Sequence, residues 1–193
     1  MINIAIFASG NGSNAQNIAE YFQNHPAIRV SLILANKPDA FVLERAKNLG
    51  IPSHVFNRKE FYETNDVLQV LLDHHTDFIV LAGFLWFVPD NLLSNFSRKI
   101  INIHPALLPR HGGKGMYGDK VHKAVIESGD KVTGITIHFV NDHYDEGEVI
   151  FQESIPVIPG DTSESIAQKV HQLEYLHFPR IIEEVIKSSS VGG

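Results

Sequence analysis

The chain contains no cysteine. That single absence removes disulfides, thiolate metal centres and cysteine nucleophiles, and it fits a reducing compartment. Cations are also scarce: 16 lysines and arginines stand against 22 acidic residues, a net charge of −6. A chain so balanced is not a strongly basic nucleic-acid binder, although a local basic patch is compatible with it. No apolar run approaches the roughly 20 residues of a membrane-spanning helix. The opening run over 2–8 has no basic stretch before it and meets polar Ser9, Asn11 and Ser13 at once, so it reads as a buried strand, not a secretion signal. A soluble, cytoplasmic enzyme or binding domain is expected. What the chain does have is length and apolar content: 193 residues, 44% hydrophobic. That suffices to bury about 70% of the unfolded surface in one core. One domain over 1–188 with a flexible tail at 189–193 is expected.

Two kinds of segment alternate. Short apolar runs rich in Val and Ile lie at 2–8, 28–34, 78–82, 100–103 and 134–140. Their near-continuous character suits strands covered on both faces. Stretches with helical spacing lie between them at 14–22, 40–49 and 60–75. Gly50 and Pro52 end the second of these. A strand over 149–156 and a long helix over 163–186 close the chain. Strand and helix in alternation predict an α/β, Rossmann-like fold, a mostly parallel twisted sheet with helices on both faces. The segment 105–118 is the conspicuous irregular stretch, with two prolines and four glycines. So long a loop in a compact domain is usually functional or mobile.

The first strand runs into Gly10-Asn11-Gly12-Ser13-Asn14, which opens a helix. Glycines let the backbone turn tightly and approach a ligand, and the free amides of a helix start favour a phosphate. The run formally satisfies G-x-G-x-x-A with Ala15, so a dinucleotide is one candidate. The second strand, however, ends in Ala35-Asn36-Lys37-Pro38, with no acid for a ribose; Lys37 there suits NADP over NAD. The Walker pattern is absent.

Ile100-Ile101-Asn102-Ile103-His104-Pro105 is the most informative stretch. Asn102 and His104, two apart on a strand, point to one face at its C-terminal end, where open α/β sheets bind ligands. His104 is the candidate acid–base or charge-stabilising group, and Asn102 brings an amide donor for a developing oxyanion. The histidine wants an acidic partner that orients its ring and raises its pKa. Spacing allows Asp142 or Asp145 equally. His138 with His143 is a weak metal pair, and no tight metal-ligand motif is present.

These residues resemble the folate-dependent formyltransferases, and among them the glycinamide ribonucleotide branch. The matching motifs are Ser-Gly-Asn-Gly-Ser-Asn at 9–14, Leu-Ala-Gly-Phe at 81–84, Asn-Ile-His-Pro-Ala-Leu-Leu-Pro at 102–109, His-Phe-Val at 138–140 and Asp145-Glu-Gly. The resemblance runs from residue 2 to about 186. It implies formyl transfer from 10-formyltetrahydrofolate, a co-substrate, to the amine of 5-phosphoribosyl-glycinamide in purine synthesis. It implies small-molecule substrates, with no metal, nucleic acid or membrane, in a monomer or homodimer. It implies Asn102, His104 and Asp145 as the catalytic trio, and Gly12, Ser13 and Asn14 as the phosphate site. His171 and Glu174 fall where the family contacts the ribose or glycinamide end. Leu85, Trp86, Phe87 and Val88, with Asn102, fall where it holds the folate.

Three stretches depart from the family pattern. The loop after Pro109 reads Arg-His-Gly-Gly-Lys-Gly-Met-Tyr-Gly. Trp86 stands where relatives carry arginine or another residue with an aliphatic stem. The family's folate-contacting arginine has no counterpart in Tyr62-Glu63-Thr64-Asn65-Asp66, which leaves Arg58 or Lys59 to supply a cation. The alternative activities are a formyltetrahydrofolate deformylase, an NADP-dependent reductase and a non-enzymatic nucleotide-binding domain. The deformylases usually carry an extra N-terminal domain, whereas Met1 here leads straight into the first strand.

Overall fold

The apolar runs become strands because both of their faces are covered. Every residue of β1 (Ile2–Ala8) from Asn3 onward is buried. β2 (Ile28–Ala35), β3 (Ser53–Val55) and β4 (Phe78–Leu81) complete the parallel part that β1 anchors. β1 pairs in parallel with β2 and β4, and β2 with β3. The seven strands of the computed structural model, which describes residues 1–190, take the order β3-β2-β1-β4-β5-β6-β7. The α/β, mostly parallel, Rossmann-like architecture expected from the sequence is the one observed. The chain groups into two compact units, residues 1–101 and a second beginning at Asn102.

In the first unit, α1 (Ser13–Phe22) and α2 (Val42–Asn48) pack beside β1, β2 and β3. An aromatic cluster fills part of this core. Phe7 meets Phe56 at 5.7 Å and Phe84 at 5.3 Å between ring centroids, and Phe61 stacks on Phe56 at 5.0 Å. The single helix expected over 60–75 is two: α3 (Arg58–Tyr62) and α4 (Asp66–Asp73). Local hydrogen bonds mark where each of the two helices starts. Asn57 and Glu60 form a reciprocal capping box at the start of α3, and the Thr64 hydroxyl accepts from Asp66 N at 3.2 Å where α4 restarts. The short α5 (Asp90–Asn95) was not anticipated.

The second unit contains α6 (Asp119–Glu127), the antiparallel pair β6 (Val132–Phe139) and β7 (Val149–Pro156), and α7 (Ser163–Ser190). β5 (Ile100–His104) leads into it. α6 lies in a stretch the sequence reading left without an element. α7 extends past the expected end at 186 and takes up residues 189 and 190 of the expected tail; 191–193 lie outside the described residues. α7 contacts α6, β6 and β7. Phe178, Ile181, Ile182, Val185 and Ile186 are buried, so packing holds the helix through Pro179 despite its missing N–H.

Gly134 sets how closely β6 and β7 approach. A Cβ there would lie 1.9 Å from the Glu153 carbonyl oxygen, a backbone atom that cannot swing aside. Gly134→Ala should therefore overpack the ladder and cost about 1–3 kcal/mol of stability. Denaturant midpoints measure this, and an unshifted midpoint would show that the strands separate freely.

Candidate active site

β5 alternates its side chains, so Asn102 and His104 share a face as expected. His104 is buried. Its Nε2 donates to the His111 carbonyl at 2.8 Å, and its Nδ1 lies 3.5 Å from Asp145 Oδ2. Both ring nitrogens thus face acceptors. Asn102 donates through Nδ2 to Nε2 of His138 at 3.0 Å, and His138 Nε2 stands 3.7 Å from Asp145 Oδ1. The structure brings Asn102, His104 and Asp145 into one cluster, joined by His138. The choice that spacing left open is resolved here: Asp142 is exposed and bonded to exposed His143, whereas Asp145 faces His104.

The backbone is shaped to present these groups. Asp145 sits at φ 55, in the left-handed region that Asp tolerates better than most residues. Its Oδ2 accepts from Gly113 N at 2.9 Å. The segment after His104 is tied down through Thr136. The Thr136 hydroxyl donates to Ala106 O at 2.7 Å and accepts from Leu108 N at 3.0 Å, and Gln152 Nε2 reaches both Leu108 O and Thr136 Oγ1. The chain after Pro109 is held by Asp130, which accepts from Arg110 Nη2 at 2.5 Å and from His111 Nε2 at 2.7 Å. Thr136, Gln152 and Asp130 escaped the sequence reading, which named His138 only as a metal partner for His143 and as part of the motif at 138–140.

Electrostatics here correct one expectation. Burial pushes His104 below the ordinary imidazole range, outweighing the pull of Asp145 and the bond to the His111 carbonyl. Asp145 does attract the proton, but it does not lift the ring above its usual value. Burial also works against ionising Asp145; the hydrogen bond that His138 offers when protonated, the charge His104 carries when it too is protonated, and the Gly113 amide overcome it and hold the carboxyl below the usual range. The resting site thus pairs an ionised carboxylate with an imidazole that is neutral at pH 7, its proton on Nε2. Nδ1 then faces the carboxylate bare, at a distance longer than a hydrogen bond. A second proton there becomes favourable when negative charge appears near Nε2.

His171 and Glu174 lie one turn apart on α7 and bond to each other, Nδ1 to Oε2 at 2.7 Å. His122, on the buried face of α6 with Val121 and Val125, was also missed. It is 6% exposed, and its Nδ1 has no partner among the described residues. Burial depresses its pKa, while Glu174 and Asp119 pull it up and His104 pushes it down.

In the first unit, Gly12 caps α1 at φ 73, and a Cβ there would lie 2.3 Å from Val42 Cγ2, so only glycine fits. Ser13 and Asn14 open the helix, and its first turn holds no acid. That leaves positive amide dipoles uncompensated by any carboxylate, as an anion prefers. Arg45 clamps the loop from α2: Nε donates to Asn11 O and Nη2 to Asn11 Oδ1, both at 2.8 Å. Lys37 lies in the bend after β2. In the segment 85–88, Leu85 N donates to Ser9 Oγ at 3.0 Å and Phe87 O accepts from Tyr62 OH at 2.9 Å. Val88 is buried, and Trp86 packs edge-on against Phe56 at 5.9 Å. Arg58 lies over the rings of Tyr62 and Trp86, at 5.1 and 5.7 Å. Lys59 lies in the same first turn of α3.

A strand-borne Asn-x-His with a facing carboxylate can serve acyl-type group transfer. The profile of the formyl transferase family matches residues 2–182, and the chain belongs to that family. Among similar proteins is the chloroplastic phosphoribosylglycinamide formyltransferase of Arabidopsis thaliana, 41% identical over 95% of this chain and 66% of that protein. The Vigna unguiculata protein of that name is 38% identical, and the chain covers 62% of it. The chain thus spans a little under two thirds of these plant relatives. The phosphoribosylglycinamide formyltransferase of Bacillus subtilis is 36% identical over 100% of this chain and 98% of that protein. The crystal structure of the Streptococcus pneumoniae TIGR4 phosphoribosylglycinamide formyltransferase superposes with a TM-score of 0.85 at 36% identity, over 96% of this chain and 99% of that one.

His104 and His122 are both depressed in the fold. The unfolded chain restores them to about 6.5 and binds their protons first as pH falls. Their contribution is thus fully present above that pH and is lost below it, with a slope of up to about 1.4 kcal/mol per pH unit for each proton. His122→Leu should flatten the acid limb of stability against pH below about 6.5. An unchanged slope would assign the linked protons to other groups.

Proposed function

We propose that the chain transfers the formyl group of 10-formyltetrahydrofolate to the amine of 5-phosphoribosyl-glycinamide, a step of purine synthesis. The observation that carries this reading is His104, buried with Asp145 at one nitrogen and the His111 carbonyl accepting from the other, beside Asn102 on the same strand face. The names of relatives covered nearly end to end support it.

The amine attacks the formyl carbon, a C–N bond forms and the formyl oxygen becomes an oxyanion. Nε2–H of His104, released from the His111 carbonyl, and the Nδ2–H of Asn102 not used by His138 donate to that oxygen. Asp145 makes a second proton on the ring cheaper as the charge grows. Collapse breaks the bond from the formyl carbon to N10. The proton lost by the amine ends on N10, so the ring leaves the cycle as it entered. Holding two substrates in register supplies much of the acceleration.

Gly12, Ser13 and Asn14 take the ribonucleotide phosphate on the amides of α1. His171 and Glu174 take the ribose or glycinamide end, where carboxyl oxygens can accept from hydroxyl and amine hydrogens. The backbone of residues 85–88 takes the pterin, with Asn102. Leu85 N and Phe87 O in that segment are already bonded within the chain. Arg58 is better placed than Lys59 for the anionic part of the folate, because it already lies against Trp86. Both substrates are small molecules, no step calls for a metal, and we read the compartment as the cytoplasm.

Formyl transfer assayed with and without the ribonucleotide tests the reading: loss of formyl from the folate should require the acceptor. Acceptor-independent release at a comparable rate would make the protein a hydrolase. Asp145→Asn keeps the shape and removes the charge. The pKa of His104 should fall further, and kcat should drop on the order of a hundredfold with much smaller changes in KM. Near-normal turnover would free Asp145 from this role. Ser13→Ala removes one hydrogen bond to an anion, worth about 1.5–3 kcal/mol, and should raise the KM for the ribonucleotide with little change in kcat. An unchanged KM would take Ser13 out of the phosphate site.

A further inference from the structure

The proposed reaction uses one N–H of Asn102, yet an asparagine amide turns freely unless something holds it. His138 is buried, lies outside the catalytic trio, and makes that contact. Its two hydrogen-bond contacts together point to one tautomer. Nδ1 lies 2.9 Å from the Phe139 carbonyl, which only accepts, so Nδ1 carries a hydrogen. Nε2 is then the bare acceptor for Asn102 Nδ2 at 3.0 Å. This is the reverse of the tautomer inferred for His104, whose hydrogen is on Nε2.

The backbone is irregular at this place in ways that aim the ring. The β6–β7 register shifts between Ile137 and His138, a bulge that redirects the side chain at the strand end. Gly147 lets the 145–147 turn press against it. A Cβ there would lie 1.6 Å from the Phe139 carbonyl oxygen and 3.4 Å from His138 Nδ1. The carbonyl that fixes the tautomer is therefore itself held by a close approach that only glycine permits. Asp145, two residues earlier, sits at its left-handed φ and faces the same ring at 3.7 Å.

We propose that His138 is a positioning residue: through Nε2 it fixes the carboxamide of Asn102, so that the second Nδ2–H is aimed where the formyl oxygen becomes an oxyanion. The proposal rests on the formyl-transfer reading for its chemistry, but its geometry stands apart from that reading. A proton added to Nε2 would replace the acceptor with a donor. Asn102 would be released, and the ring would turn its hydrogen toward Asp145. The neutral Nδ1–H form is thus the working form.

Two measurements test it, and the first needs no activity. Nitrogen-15 NMR of histidine-labelled protein, with His138→Gln used to assign the signal, should show His138 as a neutral ring protonated at Nδ1. A ring protonated at Nε2 overturns the proposal. The second is a kinetic cycle. His138→Phe fills the space without an acceptor. It should lower kcat on the order of tenfold, less than the roughly hundredfold typical of losing an oxyanion donor outright, with the KM of both substrates little changed. His138→Gln, whose amide oxygen can accept from Asn102, should recover most of the loss. In an Asn102→Ala background, His138→Phe should cost less than about twofold, because its target is gone. Equal losses in both backgrounds, or an unchanged kcat, overturn the proposal. Should the phenylalanine variant not fold, the glutamine variant and the tautomer decide. Wild-type protein that transfers no formyl group would defeat the functional reading alone, since the NMR result judges the His138 geometry independently.

Discussion

The imidazole of His104 is taken out of water and set between two acceptors, the Asp145 carboxylate and the His111 carbonyl. Desolvation disfavours the charged ring, and the carboxylate favours it; at rest desolvation prevails. In the proposed reaction that opposition has a use. A ring already charged has little more to offer an oxyanion than it offers the ground state, whereas a neutral ring facing a carboxylate responds as charge appears. The features around it serve to keep the balance: the left-handed Asp145, the Gly113 amide on its oxygen, and the Thr136 and Gln152 tethers on the segment after His104.

The second unit solves a problem of precision with backbone more than with side chains. The strand end, the bulge at His138 and the glycine at 147 fix where the polar atoms lie, and the neighbouring side chains then have few alternatives. The first unit does the same with the loop at 10–14. Val42 leaves no room for a side chain on Gly12, and Arg45 pins Asn11, so the opening amides of α1 are set before any ligand arrives.

Much of this was legible in the residues. The central strands announce themselves as unbroken apolar runs, and Asn102 and His104 declare a shared face by their spacing. Four kinds of feature were not legible. The break between α3 and α4 depends on the Thr64 hydroxyl, which donates to the Glu60 carbonyl and accepts from Asp66 N, and a hydrophobic stripe does not register that. α6 hides behind a glycine-rich approach and is recognisable only once α7 covers its buried face. Distinguishing Asp145 from Asp142 by spacing alone was beyond reach, because a left-handed residue in a turn decides which carboxylate looks inward. The net direction of the His104 pKa likewise depends on burial by residues far along the chain, which local sequence does not encode.

The His111 carbonyl on His104 Nε2 makes the loop after Pro109 a competitor for the site. Any molecule that takes its hydrogen bond from that nitrogen must first displace a group the protein supplies itself. Measured affinity then equals intrinsic affinity reduced by the fraction of molecules in which the carbonyl has withdrawn. The side chains of Arg110 and His111, clasped to Asp130, hold the loop from which that carbonyl comes. Inhibitors of this protein would accordingly be ranked as much by how they tolerate the loop as by how they fit the pocket, and two compounds with the same contacts would differ in strength if only one left the loop its own place.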